Sequence, residues 1–143
     1  MKSPDLVDTI LTVQNDVAIV TLDRDDVRNA LTGTAIIEDI ISVCDWINKN
    51  REIGAMVLTG SGKAFSAGGN IKDMREKKGD IFGGQPIHQQ DGYRHGIQRM
   101  SQALYKVEVP LVAAVNGPAV GAGLDVICMC DIRLGCQYSK IGE

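Results

Sequence analysis

Two short stretches place small residues at the same point of a strand-to-helix pattern. The first runs Val57-Leu58-Thr59 and then Lys63-Ala64-Phe65-Ser66-Ala67-Gly68-Gly69-Asn70-Ile71-Lys72-Asp73-Met74. The second runs Leu111–Val115 and then Asn116-Gly117-Pro118-Ala119-Val120-Gly121-Ala122-Gly123-Leu124-Asp125. The first amides of a helix have no intrahelical carbonyl to donate to and carry partial positive charge. Glycine and alanine leave that backbone open to close approach. Two such N–H groups aimed at one point form an oxyanion hole, and removing one donor of this kind costs ~10²–10³ in rate. A thioester carbonyl polarised there acidifies its α-carbon and activates the β-carbon of a conjugated alkene. The glycines equally fit tight turns and close helix–strand packing alone, and spacing does not separate these readings.

Other glycine-rich sites fit less well. Gly117, Gly121 and Gly123 give G-x-x-x-G-x-G, not the G-x-G-x-x-G of a dinucleotide fold. A phosphate-binding loop around Gly62-Lys63 needs glycine at position 57 and Ser or Thr at 64, where Val57 and Ala64 stand. His88 and His95 have no visible nucleophilic partner for a triad. Cys44, Cys128, Cys130 and Cys136 lack the paired spacing of a zinc site and read as free thiols of a reducing compartment. Asp131 reads as structural, bonded to nearby backbone at a helix end. No metal is expected.

The elements that must position the corners follow from periodicity. Ile10–Val13 and Val17–Leu22 alternate around Gln14-Asn15-Asp16, which predicts a β-hairpin. Residues 23–30 read as a loop. Thr32 or Thr34 can cap a helix running to about Asn50, with Ile36, Ile40, Val43, Cys44 and Ile47 on one face. Ala55–Thr59 reads as a strand and 60–69 as a loop, with Asn70 capping a helix from Ile71. The polar, glycine-containing stretch Lys77–Gly92 reads as a mobile surface loop. Tyr93, Ile97, Met100 and Leu104 mark one helix face ending near Lys106. After Pro110 come a strand Leu111–Val115, a helix from Leu124 to about Cys130, and a strand Ile132–Gly135. The sum is an α/β fold with largely parallel pairing, a β-β-α unit followed by β-α units that can coil as a spiral.

Composition sets outer bounds. The 143 residues suit one domain, with 44% apolar and 23% charged residues. A net charge of −3 provides no field for nucleic acid or an anionic membrane. No apolar run approaches the ~18 residues of a membrane span, and Met1-Lys2-Ser3-Pro4-Asp5 lacks the apolar core of a secretory signal. A cytoplasmic location is expected.

The corner motifs resemble a known family. Lys63–Met74 is similar to the crotonase (enoyl-CoA hydratase/isomerase) signature K-A-F-x-A-G-A-D-I-K-E-M, and Asn116–Asp125 to N-G-x-A-x-G-G-G-x-E. Cys130-Asp131-Ile132-Arg133 resembles the family's C-D-x-R step, and Arg28-Asn29-Ala30-Leu31 its (K/R)-x-N-A-L loop. The motifs occur in family order over residues 8–143, leaving 1–7 as a flexible lead-in. They are specific for the superfamily and not for one reaction.

The resemblance implies a crotonase-like ββα spiral, incomplete at the C-terminus, that binds an acyl-coenzyme A substrate and needs no permanently bound cofactor. It implies that the Gly69 and Ala122 N–H groups form the oxyanion hole. Arg28, Ala30, Ala67, Asn70, Ile71 and Lys72 would contact coenzyme A, although Arg28 and Lys72 also read as ordinary solvated charges. Family hydratases use two glutamates to activate water and protonate the α-carbon. Asp125 occupies the first of these positions, one methylene short, and also fits a first-turn acid complementing its helix. The second falls just beyond Glu143, which itself sits two residues early and is not assigned. Hydration of a 2-trans-enoyl-CoA is the leading expectation. Isomerisation of enoyl- or dienoyl-CoA is the second, and a non-catalytic acyl-CoA-binding or subunit-interaction role the third. The family further implies a trimer or dimer of trimers, and little turnover from this chain without a complementing piece.

Overall fold

The computed structural model describes residues 2–143. Strands β1 (Thr9–Gln14) and β2 (Val17–Leu22) pair antiparallel from Thr9 opposite Leu22 to Gln14 opposite Val17. Asn15 and Asp16 join them at φ 47° and 67°. That backbone suits a two-residue hairpin turn, and Asn and Asp are the side-chain-bearing residues that tolerate it best. The alternation in β2 buries Ala18, Val20 and Leu22 completely. Within the segment 1–7, Leu6 packs partly buried against the core and the Val7 N–H donates to Asp39. Met1 lies outside the described residues.

Helix α1 (Ile36–Lys49) buries Ile36, Ile40, Val43, Cys44 and Ile47 as the period requires, with Ile37 and Trp46 widening the stripe. Its start differs from the sequence expectation. Ala35 holds the cap position without a side-chain cap, and its own N–H donates to Asp8 Oδ2 at 2.7 Å. Thr34, one residue before that position, donates its Oγ1 hydroxyl to the Ala30 carbonyl and accepts the Ile36 N–H at a long 3.4 Å, while Thr32 is committed to another loop. Asp39, only 4% exposed, instead accepts the Val7 and Asp8 N–H groups at 2.7–3.2 Å and so ties the start of β1 to α1.

The chain crosses back into β3 (Ala55–Gly60), parallel to β2, and then into α2 (Ile71–Glu76). Asn70 caps α2 as expected, its Oδ1 accepting from the Lys72 and Asp73 N–H groups. The stretch 77–92 is not the loop that its composition implied. It forms α3 (Gly79–Phe82) and most of α4 (Pro86–His95). Pro86 opens α4, where a missing N–H costs nothing, and His88 Nδ1 accepts the Gln85 N–H. Phe82 is buried edge-on against Tyr93, with ring centroids 5.9 Å apart. The helix expected to run through Tyr93 breaks at Gly96, whose φ −110° and ψ −102° end α4 and start α5 (Ile97–Tyr105). Met100 and Leu104 are the buried face of α5, packed with α1.

Strand β4 (Leu111–Val115) leads to a short β5 (Ala119–Val120), helix α6 (Ala122–Cys128), strand β6 (Ile132–Gly135) and β7 (Ile141–Gly142). Helix α6 begins and ends two residues earlier than its expected span. The main sheet has the order β1-β2-β3-β4-β6, parallel from β2 onward, and β5 pairs parallel with β7 in a second small sheet. Asp131 does bond backbone, but at a strand start: it accepts the Leu111 N–H at 2.8 Å while donating its own N–H to the Leu111 carbonyl. One apolar cluster joins the sheet (Val20, Met56, Leu58, Ala113) to α1, α5 and α6 (Ile40, Met100, Ile127). Strand β6 is the sheet's open edge, exposed throughout.

Two predictions follow from the core. Removing the buried acceptor by Asp39→Ala should destabilise the fold by about 2 kcal/mol, read as a lower urea midpoint. Burial pushes the Cys44 and Cys130 thiols up from 9.0 to about 12. The unfolded chain therefore loses those protons first as pH rises, so stability should fall between pH 9 and 12. A double Cys→Ala variant should flatten that fall, and an unchanged alkaline profile would refute the assignment.

Candidate active site

The two corners predicted from sequence are laced together by backbone. The Phe65 and Ser66 N–H groups both donate to the Pro118 carbonyl, and the Val120 N–H donates to the Ser66 carbonyl at 3.1 Å. Asn116, at the end of β4, accepts the Gly60 N–H and donates to the Ala64 carbonyl. The fully buried Asn29 reaches the same place from the 23–31 loop, donating to the Ser61 and Ala64 carbonyls at 3.0 Å. Arg28 and Asn29 are both left-handed, at φ 55° and 53°. That reversal brings the Arg28 carbonyl to the Ala67 N–H and the Leu31 N–H to the Gly68 carbonyl.

Those bonds fix two amides. All peptides among the described residues are trans, so each N–H points away from the carbonyl of its own peptide. The Gly68 carbonyl is held by Leu31 N–H at 2.8 Å, which turns the Gly69 N–H to the opposite side. The Gly121 carbonyl accepts from the Leu124 and Asp125 N–H groups at 2.8 and 3.2 Å, which turns the Ala122 N–H out of the helix start. Neither the Gly69 nor the Ala122 N–H donates to a carbonyl or side chain among the described residues. A methyl placed on Gly68 would sit 2.9 Å from Ala122 N, so bond lengths keep the two nitrogens within about 7 Å. Both residues are partly exposed.

The sequence and the fold both have counterparts among known proteins. The family model described as enoyl-CoA hydratase/isomerase matches residues 12–143. The chain belongs to the enoyl-CoA hydratase/isomerase family. It is 32% identical over 142 residues to the short-chain-enoyl-CoA hydratase of Clostridium acetobutylicum, covering 97% of this chain and 50% of that protein. It is 34% identical over 129 residues to the mitochondrial enoyl-CoA hydratase of Pongo abelii, covering 90% and 41%. The crystal structure of an enoyl-CoA hydratase/carnithine racemase from Magnetospirillum magneticum superposes with a TM-score of 0.83 at 29% identity, over 96% of this chain and 49% of that one. The chain thus spans about half the length of the curated relatives it matches.

The remaining residues singled out from the family motifs fall into distinct places. Asp125 lies in the first turn of α6, exposed, and its carboxylate makes no hydrogen bond or ion pair among the described residues. Ala67 is bonded to the Arg28 carbonyl, so the 28–30 loop and the first corner share one face. Arg28, Ile71 and Lys72 are exposed, Ile71 at 77% despite being apolar. Ala30 is buried beneath the loop. The Asn70 Oδ1 is occupied by its cap, and its N–H donates to Thr32 Oγ1 at 2.8 Å. Glu143 is exposed next to β7. His88 and His95 line a cleft of about 900 Å³ between the start of α1 and α3–α4. Gly69, Ala122 and Asp125 do not line it; Phe82 does, and its ring comes within 3.4 Å of where a methyl on Gly69 would lie.

Sequence reasoning missed Thr32 and Ser66, whose hydroxyls bond the first corner. Each is a polar residue in a short apolar run (Leu31-Thr32, Phe65-Ser66-Ala67), a weak signal that burial alone makes meaningful. The corner geometry predicts the effect of one methyl. In Gly68→Ala the new carbon would lie 2.5 Å from the Val120 carbonyl at a φ of +72°. The variant should lose about 2–4 kcal/mol of stability, measured by chemical denaturation.

Proposed function

We propose that this chain binds acyl-coenzyme A thioesters and stabilises the enolate of the thioester between the Gly69 and Ala122 amides. One observation carries the reading: two N–H groups without partners, from two corners that touch, each oriented by a held carbonyl on the other side of its peptide. A thioester oxygen placed between them gains negative charge as the α-carbon loses a proton or the β-carbon is attacked. Preoriented donors stabilise that charge without reorganising at the moment of reaction.

The coenzyme A portion lies, in this reading, along the face shared by the 28–30 loop and the start of α2. Arg28 and Lys72 supply exposed positive charge for its phosphates, and Ile71 supplies exposed apolar surface for the pantetheine arm. Ala67 keeps that wall low above the buried Ala30, and the Asn70 backbone continues it. The thioester is substrate rather than resident cofactor, and the chemistry uses no metal. Asp125 is the carboxylate nearest in sequence to the Ala122 amide, on the first turn of the same helix. It serves as the acid/base or water-orienting group. The proposed reaction for a chain of the relatives' length is hydration of a 2-trans-enoyl-CoA, within a trimer or dimer of trimers in the cytoplasm. Asp125 in place of a longer carboxylate favours a second reading, isomerisation, in which one carboxylate shuttles a proton and no water is added.

The decisive measurement is calorimetric titration with coenzyme A and crotonyl-CoA. Binding of both is expected, weakened roughly tenfold by the double variant Arg28→Ala and Lys72→Ala through loss of two charge-assisted contacts. Absence of binding to either ligand would refute the proposal. In a chain of the relatives' length carrying these residues, product mass then separates the two reactions: a gain of one water marks hydration and an unchanged mass marks isomerisation.

A further inference from the structure

Ser66 is fully buried and touches every segment that orients the two amides. Its hydroxyl donates to the Asn29 carbonyl at 2.8 Å, which holds the left-handed loop whose Leu31 N–H fixes the Gly68 carbonyl. The same oxygen accepts the Gly68 N–H at 3.1 Å, so it also fixes the near side of the residue whose carbonyl precedes the Gly69 amide. Its backbone carbonyl accepts the Val120 N–H, and its own N–H donates to the Pro118 carbonyl, both on the second corner. A methyl on Gly123 would meet the Ser66 carbonyl at 2.5 Å and its Cβ at 3.0 Å, so Ser66 also packs directly against the first turn of α6.

We propose that Ser66 is the positioning residue that couples the two corners, its hydroxyl setting the direction of the Gly69 amide while its backbone sets the distance to the Ala122 amide. The functional part of this inference rests on the reading of Gly69 and Ala122 as the carbonyl-binding pair. Ser66 does not touch the thioester; it acts through the Gly68–Gly69 peptide. With the hydroxyl removed, the Asn29 carbonyl and the Gly68 N–H are left unpaired in a buried place, and the peptide between the loop and the corner is free to tilt. A tilt moves one donor off the oxygen without emptying the coenzyme A face. Ser66 therefore controls polarisation of the carbonyl more than affinity for the carrier.

The test compares the wild type with Ser66→Ala, Ser66→Cys and a core control, Ile47→Val, in the 143-residue chain. Amide resonances of the 15N-labelled proteins report the geometry directly. The Gly69 and Ala122 peaks should move together along one line in the order wild type, Ser66→Cys, Ser66→Ala, because sulfur on the same stem is a weak donor and acceptor. Ile47→Val should leave both in place. Acetoacetyl-CoA supplies the functional readout, since its enolate absorbs in the near ultraviolet when the carbonyl is polarised. Ser66→Ala should cut the bound enolate signal about tenfold while coenzyme A affinity changes by less than about threefold, with Ser66→Cys recovering part of the signal. If Ser66→Ala does not fold, Ser66→Cys carries both comparisons. An Ala122 resonance that stays put, or that moves equally in Ile47→Val, overturns the inference. If the wild type binds no acetoacetyl-CoA, the proposed function falls, while the amide resonances still decide whether Ser66 couples the corners.

Discussion

Peptide planarity is the constraint on which this structure depends. A buried carbonyl that accepts a hydrogen bond dictates where the N–H across the same bond points. The Gly68 carbonyl is fixed by Leu31 and the Gly121 carbonyl by Leu124 and Asp125. The two amides beyond them are left facing outward without partners. Their direction is thus set by hydrogen bonds within the chain. An unpaired N–H that is well buried costs about 1–3 kcal/mol, and partial exposure of Gly69 and Ala122 lets water lessen that cost.

The rest of the fold supplies the anchors for those bonds. Strands β3 and β4 lie side by side and parallel, so the chain leaves both at the same end of the sheet. The corners that follow them must therefore meet. Asn29 and Asn116 converge on the Ala64 carbonyl from two different segments. The second sheet braces the later corner, the Gly121 N–H donating to the Gly142 carbonyl. Glycine is required where these segments cross. Gly121 has φ +52° and ψ −127°, a region closed to side chains, and Gly68 leaves no room for one beside Val120 and Ala122.

Membership of the enoyl-CoA hydratase/isomerase family agrees with this architecture, since the half-length match superposes as a unit on a longer family structure. The exposed β6 edge and the exposed Asp125 both belong to the last third of the chain. The first corner, by contrast, is enclosed by the 23–31 loop and by Phe82.

Much of this was legible in residue order. The hairpin follows from strict alternation around Asn15-Asp16, α1 from an apolar stripe at helical spacing, and the α2 start from Asn70 placed before Ile71. These are local facts, set by φ preference and by which face is apolar. The family motifs likewise named Gly69, Ala122 and Asp125 without coordinates. Local rules failed where packing or a competing hydrogen bond decided the outcome. Residues 77–92 look like loop because glycine and polar residues dominate, yet Phe82 against Tyr93 and the Gln85–His88 cap give helices. Thr32 looks like a cap for α1, yet its hydroxyl accepts the Asn70 N–H, and only Thr34 reaches the helix start, accepting the Ile36 N–H at 3.4 Å. The sequence by itself determined the hairpin, α1, the start of α2, the corners and the family. Only the tertiary structure decided that Ser66, Asn29 and Leu31 meet around the first corner, because hydrogen bonds between segments thirty or more residues apart have no signature in local pattern.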